Sequence, residues 1–374
     1  MTLIRFDRGP FKDGTQFDSP LDLIRADDPF QVPGALAAIA AAQAAGHWVA
    51  GYLSYELGYV LTSRLHRLTL DDRDMPLILM GVFDAPSPAP PLPDPAAAVI
   101  GPVRPLWQRD RYDGAIARVH RYIEAGDTYQ INLTFPAEAD CAGGPLALYA
   151  ALAVRQPVGE GAFVDLGGPP ILSRSPELFF AVDDARRITT RPMKGTASRG
   201  STPDGDARAA AELAVSAKDR AENLMIVDLL RNDLSRICRP GTVRVPHLFQ
   251  VEHYATVHQM TSTVEGQLAP GAGFADILRA LFPCGSITGA PKIRAMEIIA
   301  ELEQAPRGVY CGAIGWIDPA GPMRFSVAIR TPVMIAPCRL RLNVGGGITH
   351  DSRAGSEWEE AICKAAFLGV SRPT

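Results

Sequence analysis

The sequence predicts an α+β fold, two packed and largely antiparallel β-sheets flanked by helices. Three observations predict it. β-type runs arrive in adjacent pairs, helical stretches stand between those pairs instead of alternating with single strands, and sheets with this many strands usually pack face to face with helices outside.

The elements follow in chain order. Residues 1–85 read as an N-terminal subdomain packing on the main fold, with an alanine-rich helix at Gly34 to Gly46 and candidate strands in GYLSYELGY and PLILMGVFD. Asp84 to Ala98 then holds Pro86, Pro88, Pro90, Pro91, Pro93 and Pro95. Each ring fixes φ and removes a donor, so residues 86–102 read as an extended linker. Residues 103–374 contain no second break of that kind and read as one domain. There ILSRSPELFFAVD gives two short strands around Ser175-Pro176, and CGAIGWID with MRFSVAIR gives a hairpin closed by Pro319 to Pro322. Helices are expected at Ala207 to Asp233, Phe274 to Leu281, Pro291 to Leu302 and Glu357 to Phe367. Ser356 and Glu359 fit a capping box that would start the last of these.

Composition removes several function classes. Hydrophobic residues at 47% and charged residues at 21% exclude wholesale disorder and coiled coil. A formal net charge of −4 offers no electrostatic footprint for nucleic acid or an anionic membrane. No apolar run approaches the roughly 18 residues of a spanning helix. Met1 to Pro10 lacks the pattern of a secretory signal, so the expected location is the cytoplasm. Cys141, Cys238, Cys284, Cys311, Cys338 and Cys363 are scattered, which suits reduced thiols and neither a zinc site nor a redox motif. The absence of a G-x-x-x-x-G-K-[ST] loop and of a strand-to-helix G-x-G-x-x-G weighs against ATP or NAD chemistry.

Carboxylates come first among the groups that could carry chemistry. Asp219 and Glu222 are three apart in a helical stretch, and Glu357 and Glu360 repeat the spacing. Two such pairs could converge on one hard divalent cation, for which magnesium is suited. The same spacing also describes solvated helix charges, with Glu360 and Lys364 an i, i+4 surface pair. Lys194 lies between Pro192 and Gly195, and it is either a surface lysine or a nucleophile. At a free pKa of about 10.4, only about one lysine in a few thousand is an unprotonated amine at neutral pH. Nucleophilic work therefore requires desolvation or a neighbouring cation. CGSITGAPK places Pro291 at the first helical position and leaves free N–H groups for a carboxylate. Val344 to Thr349 (VGGGIT) ends a strand with three glycines that permit close backbone approach. Arg330, read as ending the strand MRFSVAIR, offers a planar fork for a carboxylate.

Taken together, EAGDTYQINLT, SRSPELF, RPMKGT, DRAENLMIVDLLRNDL, FPCGSITGAPKIRAMEIIAELE, YCGAIGWI, AIRT, VGGGITHDS and EWEEAICKA resemble the chorismate-utilising enzymes. These segments cover most of Tyr112 to Phe367 in the family's order. The resemblance implies the anthranilate synthase component I-like fold and makes residues 103–374 the chorismate-binding catalytic domain. It implies a Mg2+ held mainly by Glu222 and Glu360, with Asp219 and Glu357 closer in or through water. Gly195, Thr196, Ser286, Tyr310, Arg330, Gly345, Gly346, Gly347 and Lys364 become substrate-binding candidates. Glu177 becomes the general acid for the departing C4 hydroxyl, and Lys194 the nucleophile.

Differences within the family narrow the expectation. Gln130 stands where isochorismate and salicylate synthases carry a water-activating lysine, and glutamine cannot be that base. Anthranilate synthases resemble P-I-A-G-T where this chain has Pro192-Met193-Lys194-Gly195-Thr196. Lysine there is similar to the aminodeoxychorismate synthases, which aminate chorismate at C4 on the way to 4-aminobenzoate and folate. Anthranilate synthase component I and a non-catalytic chorismate-binding subunit are the alternatives. The sequence carries no L-L-E-S pattern of tryptophan inhibition and no C-G-x-C-x-G glutaminase signature, so ammonia is expected from solution or from a separate glutaminase subunit. Gln259 occupies the place of a histidine common in relatives, and Asn223 that of another. His258 is expected to face away from that place, because adjacent strand residues point to opposite sides.

Overall fold

The strand Gln130–Ala142 buries Ile131, Leu133, Phe135, Ala137 and Ala139 on one face and Gln130, Asn132 and Thr134 on the other. A strand buried on both faces needs a covering layer on each side. The computed structural model, which describes residues 2–70, 72–254 and 257–369, supplies both.

An 11-stranded and a 10-stranded sheet face each other, with antiparallel pairing throughout the described residues. Ile4, Phe6 and Phe17 from the first sheet and Tyr52, Leu79 and Ile314 from the second fill the space between them. The outer surface of the first sheet packs on helices Arg109–Glu124, Pro145–Arg155, Lys292–Glu303 and Ala354–Cys363. The outer surface of the second packs on Val32–Ala44, Ala217–Ser235 and Phe274–Leu281. This is the α+β, two-sheet architecture the sequence predicts. No described helix is long and apolar enough to cross a membrane.

The N-terminal 85 residues enter both sheets. Leu3–Phe6 pairs with Glu160–Asp165 in the first, and Trp48–Leu53 pairs with Ala313–Ile317 in the second. The proline-rich stretch is mostly extended and makes short pairings at Ser87–Pro88 and Val99–Ile100.

Several expectations need correction. The helix expected across 207–233 is two helices, Pro203–Val215 and Ala217–Ser235, broken at Ser216, whose side chain accepts from Asp219 N. A serine that caps one helix cannot continue another. The last helix starts at Ala354, so Ser356 lies inside it and forms no capping box with Glu359. GYLSYELGY is strand only to Leu53, and Leu57–Leu61 is helical. Pro291 is an N-cap residue, with Lys292 the first in the helix. Arg330 lies beyond the strand Met323–Val327, at φ +50. The strands Ile171–Ser175 and Leu178–Val182 form as expected but belong to different sheets, and the chain crosses between layers at Ser175-Pro176. The hairpin of Ala313–Ile317 with Met323–Val327 forms as expected.

Candidate active site

The site lies where one end of each sheet comes together. Met193–Ser198 ends the strand order of the second sheet, while Gly289–Ala290, Gln130–Ala142 and Arg339–Ile348 end that of the first. Along Arg339–Ile348 the alternation sends Leu340, Leu342, Val344 and Ile348 into the helical layer. Gly346 therefore faces the helix Ala354–Cys363, and Gly347 faces inward. A Cβ on Gly346 would stand 3.2 Å from Lys364 Nζ and 3.5 Å from Glu357 Oε2. A Cβ on Gly347 would stand 2.3 Å from Gln130 Nε2 and 3.3 Å from Lys194 Nζ. Bare backbone is thus the floor of the cleft, and any side chain there would fill it.

Lys194 is half-buried, and its ammonium stands at the inward side of Gly347. Desolvation lowers its pKa; Glu222 and Glu177 oppose that, and Lys364 adds to it. Among the described residues no carboxylate comes within salt-bridge reach of its Nζ. Glu177 is 3% exposed at the sheet crossover, and its Oε1 accepts from Ser286 Oγ at 2.7 Å. Burial pushes the Glu177 carboxyl up to about 7, against the opposing pull of Ser286, Lys194, the Met193 amide and Arg330. Arg330 is drawn down by burial while facing Glu177.

The two acidic helices face each other across this cleft. Ile226, Val227, Leu230 and Leu234 pin one to the second sheet, and Asn223 Oδ1 accepts from Ser262 Oγ at 2.5 Å. Trp358, stacked on Phe135 at 4.8 Å, and buried Ala361 pin the other to the first sheet. Burial raises the pKa of Glu222, and its neighbours include Lys194, Lys218, Asp219 and Glu357. Glu360 is exposed at its tip, so the partial desolvation that acts to raise its pKa is outweighed by Lys364, 2.8 Å away, and the net shift is downward. Lys364 Nζ also donates to Gly345 O at 2.9 Å. Among the described residues no three acidic, histidine or cysteine side chains close on a common point. Asp219, Glu222, Glu357 and Glu360 are nevertheless all carboxylates, the chemistry a hard cation takes.

The remaining candidates are placed as follows. Ser286 is buried against Glu177. Tyr310 is buried beside the Arg307–Glu303 pair, and burial holds its hydroxyl pKa well up. Thr196 is exposed, and its hydroxyl donates to Gln259 Oε1 at 2.9 Å. Gly195 stands at φ +87, where a Cβ would come 2.8 Å from Asp219 Cβ. His258 is fully buried and faces Asp206 and His253, as its strand parity requires.

The sequence marks the position of Gln259 but not its contacts, and it gives no sign of Arg307. Gln259 is 7% exposed and bonds both Gly195 and Thr196. Arg307 is buried, donating to Glu303, to Asn132 O (2.7 Å) and to Ile287 O (3.1 Å), so it ties the strand Gln130–Ala142 to the Ser286 loop. The i, i+4 spacing of Glu303 and Arg307 looks like any surface pair, and nothing local marks it as internal.

Residues 14–369 match the family described as chorismate binding enzyme. The chain is 47% identical over 278 residues to an aminodeoxychorismate synthase of Streptomyces griseus, covering 74% of this chain and 38% of that protein. It is 44% identical over 262 residues to aminodeoxychorismate synthase component 1 of Escherichia coli K12, covering 69% of this chain and 57% of that protein. The chain thus spans about two-fifths to three-fifths of the length of these relatives. Among solved structures, anthranilate synthase component I from Streptococcus pneumoniae TIGR4 superposes with a TM-score of 0.75 at 29% identity, over 86% of this chain and 80% of that one. Sequence, fold and cleft agree: the chain belongs to the chorismate binding enzyme family.

Proposed function

We propose that this chain is the chorismate-aminating component of an aminodeoxychorismate synthase. It would convert chorismate and ammonia to 4-amino-4-deoxychorismate, the precursor of 4-aminobenzoate, in the cytoplasm. The observation that carries the reading is Lys194. Its amine is desolvated, free of salt bridges among the described residues, and faces Glu177 over a glycine floor. One environment acts on both groups in the useful direction. Burial disfavours the ammonium of Lys194 and the carboxylate of Glu177 alike, so it favours the neutral amine and neutral acid together.

The chemistry then proceeds in two displacements. The Lys194 amine adds at C2, the ring double bonds shift, and the C4 hydroxyl leaves as water with the Glu177 proton. Ammonia adds at C4, the double bonds return, and the Lys194 C–N bond breaks as the amine recovers a proton. One hard displacement becomes two easier ones. Arg330, Tyr310, Lys364 and the backbone of Gly345 to Gly347 would bind the substrate carboxylates. Glu222 and Glu360, assisted by Asp219 and Glu357, would hold Mg2+, which supplies positive charge for those carboxylates. Ammonia would come from a separate glutaminase subunit, or from ammonium salts in the assay.

The test is incubation with chorismate, Mg2+ and ammonium, followed by identification of the product. Aminodeoxychorismate is expected, with Lys194→Ala losing most of the amination. Fluorescent anthranilate formed without a second enzyme, or full turnover by Lys194→Ala, would overturn the reading.

A further inference from the structure

Lys194 does not sit on a regular ladder. Met193 pairs with Thr261 and Thr196 with Gln259, so three steps along one strand match two along the other. The extra residue makes a bulge of Lys194 and Gly195, with Gly195 at φ +87. Bulges re-aim side chains and leave backbone groups without ladder partners. Here one such backbone group, Gly195 O, is met by a side chain that also holds the next residue's hydroxyl. Gln259 Nε2 donates to Gly195 O at 2.7 Å, while Gln259 Oε1 accepts from Thr196 Oγ1 at 2.9 Å. The amide is buried and spends a donor and an acceptor at once, on consecutive residues immediately after the lysine.

We propose that Gln259 is a positioning residue whose amide staples the bulge and thereby sets the reach of the Lys194 amine. The inference rests on the nucleophilic role proposed for Lys194. Closing the bulge would shift one flank by a residue and turn its side chains to the other face. The reacting atoms must approach to about 3–3.5 Å, and a displacement near 1 Å can cost about 100-fold. Gln259 itself need not touch the substrate.

Gln259→Leu and Gln259→Glu test this beside wild type and Lys194→Ala. The readouts are kcat, KM for chorismate, the pH profile, thermal midpoint, and the mass of the lysine adduct trapped without ammonia. Gln259→Leu is expected to lower kcat and adduct formation together by about 10- to 100-fold, with KM within about threefold of wild type. Gln259→Glu keeps the acceptor for Thr196, but donates to Gly195 O only when protonated. Its kcat relative to wild type is therefore expected to recover as pH falls, with KM unchanged, whereas a general packing role would move KM and thermal midpoint as well. Wild-type kcat in Gln259→Leu overturns the proposal. So does a loss in which KM and thermal midpoint move together and Gln259→Glu shows no recovery in acid. Full turnover by Lys194→Ala sinks the nucleophilic reading itself; an inactive Lys194→Ala with unimpaired Gln259→Leu sinks the positioning role alone.

Discussion

Burial shifts Glu177 and Lys194 in opposite senses, raising the pKa of the acid and lowering that of the amine. The active form needs Glu177 protonated and Lys194 neutral. Amination is therefore expected to fall above about pH 7, where burial has placed the Glu177 carboxyl, and to fall again in acid as Lys194 gains its proton. Glu177→Gln keeps the shape but removes the proton. It should cost about 10²- to 10⁴-fold in kcat and abolish the alkaline limb in a kcat–pH profile. Unaltered pH dependence in that variant would show that another group delivers the proton. Much at this scale is legible from resemblance, since Glu177 and Lys194 sit in short distinctive words. Gln259 is not legible, because its role depends on a bulge, which a count of residues along one strand does not reveal. Asn132 and Gln130 alternate correctly with Ile131 and Leu133, yet period two says only that they face inward, not what they meet.

The acidic helices act through how they are pinned. Trp358 sits between Glu357 and Glu360 in sequence and stacks on Phe135, so it fixes how the helix that carries both carboxylates lies on the first sheet. Trp358→Ala should lower the thermal midpoint and raise the Mg2+ concentration for half-maximal activity by about tenfold or more, while activity at saturating metal stays Lys194-dependent. A metal titration of the variant checks this. Glu222→Gln and Glu360→Gln should each weaken Mg2+ binding measured by calorimetry with chorismate present, and chelator should remove activity that Mg2+ restores. The helix Phe274–Leu281 and the 313–327 hairpin were legible because their apolar spacing and turn residues are local. The break at Ser216 was not, because its side chain only becomes a cap once the chain turns there. Nor could period two say that Ile171–Ser175 and Leu178–Val182 would part into different sheets, since both are buried on either face.

Across the molecule, two buried carboxyls shape stability. Glu56 accepts from the backbone amides of Arg307 (2.6 Å) and Gly308 (3.2 Å), and burial still raises it to about 7, as it does Glu177. Groups whose folded pKa lies above the unfolded value bind protons more tightly when folded. Their contribution is whole below about pH 4.5 and is lost as pH rises through about 7. Urea midpoints should therefore decline from pH 6 to pH 8.5, and Glu177→Gln should flatten that slope; a midpoint that rises with pH contradicts the assignment. Because Trp48–Leu53 lies inside the second sheet and Glu56 beneath Arg307, removing residues 1–85 should yield insoluble chain, measurable by fractionation, rather than a weaker enzyme. The strand Gln130–Ala142 pairs along its length with Arg339–Ile348, and Arg341 meets Glu138 across a separation of 203 residues. During synthesis that partner emerges only after those intervening residues, so the first sheet must wait until then, exposed along one edge. Such long-range closure is slow and prone to aggregation, and the nascent chain is a natural client for chaperones until Arg339–Ile348 arrives.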